Sequence, residues 1–103
     1  MSYSKKKIID LEREINKNTP LFALPISRLI KQCKSQGVRI KIGQKLKIDK
    51  FVYIKDEIDI FCSFYVAEAK NGVFTSIVNL KFIGEGPLFE KIKKFQDWDG
   101  IIN

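Results

Sequence analysis

Apolar residues recur with a helical period in three places along the chain, and with a period of two between them. Ile8, Leu11 and Ile15 share one face of a helix over 4–17, which Ser4 can cap and Asn18-Thr19-Pro20 ends. Lys5, Lys6 and Lys7 would crowd the positive end of that helix dipole. The helix is therefore expected to begin nearer Ile8, with 1–7 a flexible basic N-terminus, unless something negative holds the triplet. Ile26, Leu29, Ile30 and Cys33 predict a second helix over 25–36, with Pro25 at its first position and Gly37 in the left-handed conformation past its end.

From Val38 the pattern alternates. Val38, Ile40, Ile42, Leu46 and Ile48 keep one phase across Gly43-Gln44, which predicts a single bent strand with a glycine kink. Arg39, Lys41, Lys45 and Lys47 occupy its solvent phase. Phe51 to Ile54 continues the sheet, either beyond a turn at Asp49-Lys50 or as an extension of the same strand. Ile58 to Ala69 is a further extended run with Ile60, Cys62, Phe64 and Val66 in phase, and Val73 to Ile83 returns after Asn71-Gly72. A two-residue loop would set Phe64 beside Asn79 and mix both faces. A three-residue Lys70-Asn71-Gly72 loop pairs Phe64 with Val78, Cys62 with Leu80 and Ile60 with Phe82. Burial stabilises by roughly 1.5–3 kcal/mol per large apolar side chain, which favours the second register. The opposite face would then carry Phe61, Ser63 and Tyr65 beside Thr75, Ile77, Asn79 and Lys81.

Gly84 to Pro87 turns into a last helix with Leu88, Ile92 and Phe95 as its stripe, joined by Phe89 and Trp98, and 99–103 forms a short tail. The expected fold is a single α+β domain over 1–103: two N-terminal helices, a three- to four-stranded antiparallel sheet, and one C-terminal helix. The helix–strands–helix order from Pro25 to Trp98 is similar to that of a double-stranded RNA-binding domain. Pro87-Leu88-Phe89-Glu90 stands, however, where that domain has a basic Lys-Lys-x-Ala-Lys helix start, and no membership follows.

Composition narrows the chemistry. The 103 residues include no histidine, which removes Ser-His-Asp and Cys-His nucleophilic sites and His-ligated metals. Cys33 and Cys62 lie in apolar phase with no C-x-x-C, so both are expected to be reduced and buried, in an intracellular, cytoplasmic setting. No apolar run approaches the roughly 20 residues that span a bilayer, and Asp10 interrupts any signal-like segment after the lysine triplet. Glu68-Ala69-Lys70 resembles the Glu-x-Lys of metal-dependent nucleases. Asp59 would lie roughly 30 Å from Glu68 along one strand, too far to share a metal ion. Asp97-Trp98-Asp99-Gly100 opens like a calcium loop but lacks the later ligands, and Gly84-Glu85-Gly86 lacks the rest of a phosphate loop. No cofactor or metal is expected.

Lys and Arg number 19 against 12 acids, a net charge of +7, and only Arg13, Arg28 and Arg39 are arginines. Lysine neutralises phosphate as a point charge, whereas guanine readout favours arginine. Two readings stay open: a nucleic-acid or acidic protein partner, or a compositional bias toward Lys, Ile, Asn and Phe. The first suggests a candidate surface in which Arg39, Lys41, Lys45, Lys47 and Lys81 pair with phosphates while Phe61 and Tyr65 stack on bases. The expectation is a small, basic, non-catalytic nucleic-acid-binding protein for RNA or single strands. The alternative is a protein-interaction module, such as an inhibitor or adaptor encoded by a phage or mobile element, docking or forming a homodimer through its sheet. A histidine-free ribonuclease built on Lys, Arg and Tyr is the remaining enzymatic option.

Overall fold

The computed structural model describes residues 3–66, 69 and 72–98. Its elements run α1 (Lys5–Lys17), β1 (Leu21–Pro25), α2 (Ser27–Ser35), β2 (Leu46–Ile54), β3 (Asp59–Phe64), β4 (Val73–Ser76), a 3-10 turn (Ile77–Asn79), β5 (Leu80–Ile83) and α3 (Pro87–Gln96). The class is α+β as expected, with five strands in one antiparallel sheet of order β4-β3-β2-β1-β5.

Helix α1 begins at Lys5, not near Ile8: the Ser4 hydroxyl accepts a hydrogen bond from the Lys7 N–H and holds the first turn despite its three lysines. Ile8, Leu11 and Ile15 are buried as the period predicts. Pro25 does not start α2; it ends β1 opposite Leu80, and Ile26 is the N-cap. The strand β1 is the element the apolar periodicity left unassigned. Its alternation is only five residues long, and it lies between two stronger helical signals. The bent strand expected from Val38 to Ile48 is a strand only from Leu46. Lys41 and Gln44 close a turn, with the Gln44 N–H on the Lys41 carbonyl and the Gln44 amide oxygen on the Lys41 N–H. Gly43 at φ 81° completes it, and Ile42 projects into solvent at 84% exposure while Val38 and Ile40 stay buried.

Strand β2 runs unbroken into Phe51–Ile54, but its register with β3 shifts between Ile48 and Lys50. This bulge at Asp49 explains how Ile48 and Phe51, three residues apart, both reach the core. The expected β3–β4 pairing is overturned. Phe64 pairs with Val73 and Cys62 with Thr75, so the connection is longer than three residues; Lys70 and Asn71 lie outside the described residues. The run from Val73 to Ile83 is also not one strand. After Ser76 it turns through the 3-10 segment and crosses to the far edge of the sheet, where β5 pairs with β1. Thr75, Ile77 and Asn79, assigned to the outer face, are therefore buried, and Val78, assigned to the inner face, is exposed.

That crossing curls the sheet. Flat, its outer strands would stand about 19 Å apart, four spacings of roughly 4.8 Å. The link from Ser76 to Leu80 reaches only about 8 Å as a 3-10 turn and about 14 Å fully stretched. Side chains close the seam. Gln96 of α3 donates to the Ile77 and Leu80 carbonyls, Asn79 donates to Thr75 Oγ1, and Arg28 of α2 donates to Asn79 Oδ1. Inside lie Ala23, Leu46, Ile48, Ile60, Cys62 and Phe64, with Ile92 and Phe95 of α3 in the same core.

Beyond Ile48, no strand among the described residues lies on the β1 side of β2, and α1 takes that place. Asn16 donates its amide to the Phe51 carbonyl and accepts from the Phe51 N–H, while Glu12 accepts from the Tyr53 N–H. The helix thus supplies hydrogen bonds that a neighbouring strand would have supplied.

Candidate nucleic-acid interface

On the outer face of the sheet, residues are aligned by strand register. Phe22 of β1 stands between Lys47 of β2 and Ile83 of β5. The pair Ile48–Phe64, carried one residue further, sets Tyr65 level with Lys47. A row therefore crosses the sheet as Lys47, Phe22, Ile83, and Tyr65 extends it just past the end of β3, with its ring beside Gly72. In the next row Lys81 is paired with Leu24, and Lys45 closes over Phe22 with its Nζ 4.6 Å from the ring centroid. Lys45, Lys47 and Lys81 are exposed, as are Phe22 (36%), Tyr65 (71%) and Ile83 (44%).

The register thus gathers Lys45, Lys47, Tyr65 and Lys81 from the candidate set and separates the rest. Arg39 and Lys41 are exposed, but on the loop before β2 rather than on the sheet. Phe61 is on the outer face two rows away, opposite Val52 and Ser76, half-buried with its ring 5.1 Å from that of Phe74. Helix α2 approaches there: Gln32, Ser35 and Gln36 line one concavity with Phe61 and Phe74. Sequence reasoning missed Phe22, because its strand was missed. The signal was present in the alternation of buried Leu21, Ala23 and Pro25 around Phe22 and Leu24.

Among the described residues the one ion pair is Lys91 with Glu14, at 2.9 Å between α3 and α1. The lysines beside Phe22 therefore have no carboxylate paired with them among the described residues. A cation–π contact at an exposed site stabilises by about 0.5–1 kcal/mol, and a base stacked on an aromatic by about 1–3 kcal/mol. Lys45 can thus leave the ring for a phosphate and yield its place to a base.

The cysteines offer no nucleophile to this surface. Both are free and buried. Burial, with the Asp59 carboxylate adding to it, pushes the Cys62 thiol up to about 12, and burial raises Cys33 as well. Asp59 accepts hydrogen bonds from the Ile60 N–H and the Ser76 hydroxyl; Glu68, its suggested partner in a nuclease-like motif, lies outside the described residues. Asp97 caps the end of α3, and Asp99 and Gly100 of the calcium-loop-like segment lie outside the described residues too.

No family model matches the chain, and comparison with curated proteins and with solved structures finds no similar protein.

Proposed function

We propose that the protein is a small, basic, non-catalytic nucleic-acid-binding protein that takes RNA or single strands by phosphate neutralisation and base stacking. The observation that carries this reading is the exposed Phe22 ring with Lys45 upon it and Lys47 and Lys81 around it. A non-catalytic role is supported by the absence of histidine and by thiols held protonated in the core. Such thiols suit a reducing compartment such as the cytoplasm. No helix among the described residues is long and apolar enough to cross a membrane. The test is binding of labelled RNA and DNA by fluorescence anisotropy, titrated against salt. Affinity that falls steeply with salt supports the reading; no affinity at low salt ends it.

A second reading has its own observation. Phe74 on the edge strand β4 is 56% exposed, and Ile83 on the opposite edge strand is 44% exposed. Exposed apolar side chains on sheet edges suit an interaction module that docks on an acidic protein or pairs with a second copy. Light scattering separates the two: a mass of twice 11.9 kDa, lost on Phe74→Ser, favours this one.

A further inference from the structure

We propose that the ligand is a single strand lying across the β-strands, with Phe22 and Tyr65 each stacked on a base and Lys47 on the phosphate between them. This rests on the nucleic-acid reading above and adds the form of the ligand, its path and the residues that touch its bases.

Three observations lead to it. Phe22 and Lys47 are paired in one row on the outer face, and Tyr65, the residue just past the last paired residue of β3, extends that row by one more strand spacing, its backbone about 10 Å from that of Phe22 and its ring beside Gly72. A short run of nucleotides laid along the row meets aromatic, cation and aromatic in turn. Both rings are exposed and neither packs on another ring, whereas in the other outer-face pair Phe61 is half-buried and the exposed Phe74 has its ring 5.1 Å from that of Phe61 beside α2. A path along the strands toward that pair would leave three lysines behind, Lys45, Lys47 and Lys81 at the end of the sheet that holds Phe22, and meet one, Lys50, paired with Ser63 in the row of Phe74. The bases of a duplex, in turn, have their faces covered by their neighbours and could offer this row only phosphates.

The experiment compares a labelled oligouridine with a duplex RNA of equal length, on the wild-type chain and on Phe22→Leu, Tyr65→Ala and Phe74→Ala. Leucine keeps the apolar contact at position 22 without a ring, and Tyr65 is exposed enough to be truncated with the fold intact; circular dichroism verifies both. The single strand is expected to bind more tightly than the duplex. Phe22→Leu and Tyr65→Ala should each weaken the single strand by about 5- to 150-fold and leave its salt slope and the duplex affinity unchanged. Phe74→Ala should change neither. Equal affinity for the two forms, or ring variants that act on both alike or on neither, would overturn the stacked single strand while leaving nucleic-acid binding in place. A loss on Phe74→Ala matching that on Phe22→Leu would overturn the path. Binding of neither form removes both this inference and the reading beneath it.

Discussion

Gly72 shows how much one backbone conformation can demand. Its φ is 79°, and a Cβ there would lie 3.2 Å from the Phe64 carbonyl oxygen and 3.2 Å from the Tyr65 ring. Gly72→Ala is expected to destabilise by about 1 kcal/mol or more in urea denaturation, through both strain and crowding. The glycine's turn role was legible in Asn71-Gly72; the register it serves was not. Apolar pairing alone favours Val78 and Leu80 as partners for Phe64 and Cys62. The chain instead accepts Thr75 opposite Cys62 and satisfies its hydroxyl with the Asn79 amide. Cys62 carries a second expectation at this scale. Its thiol stays protonated to about 12 in the fold against an ordinary 9.0. Below pH 9 both states hold the proton and the full stability is present. Above it the unfolded chain ionises first, and stability falls by about 1.4 kcal/mol per pH unit until the folded pKa is reached. Tyr3 and Cys33 are raised as well and act in the same direction. Denaturation of Cys62→Ala across this range should show a shallower decline than the wild type.

The helices were the readable elements. Ser4, Gly37 and Pro87 mark ends by stereochemical preference, and the stripes Ile8-Leu11-Ile15 and Leu88-Ile92-Phe95 fall where the period puts them. Strands were less so, because their boundaries here depend on partners far away in the chain. Leu46 begins β2 where Ala23 of β1 arrives to pair with it, and β2 continues past Ile48 because Asn16 and Glu12 of α1 complete its hydrogen bonding. That dependence can be measured. Asn16→Ala strips two hydrogen bonds from the Phe51 backbone and is expected to cost about 1–3 kcal/mol of unfolding free energy. Asn16→Asp keeps only the acceptor and should fall between the two. An unchanged denaturation midpoint for Asn16→Ala would show that water replaces the side chain freely.

Across the whole molecule, the net charge of +7 matters through its placement. Arg39, Lys41, Lys45 and Lys47 are all exposed, so their alternation with the core was legible, but the turn at Gly43 takes the first two off the sheet. The aromatic half of the candidate site was less legible, since Phe61 lies against Phe74 two rows away and Phe22 takes the place beside the lysines. Lys45→Glu with Lys47→Glu should weaken binding to all sequences alike. It should also flatten the plot of log affinity against log salt by roughly 1.4–1.8, the yield of two phosphate contacts. Both side chains project to solvent, so thermal denaturation should be little changed.

The 3-10 turn that carries the chain from β4 to the far edge has a kinetic meaning as well. It hands the last strand to the first: Phe22 finds Ile83 only after more than half of the chain has been made and brought back. On the ribosome, β1 must therefore wait with one edge unclaimed until β5 emerges. Pairing so distant along the chain requires a long loop to be closed before its contacts form, which makes such a topology slower to fold than one built from local contacts.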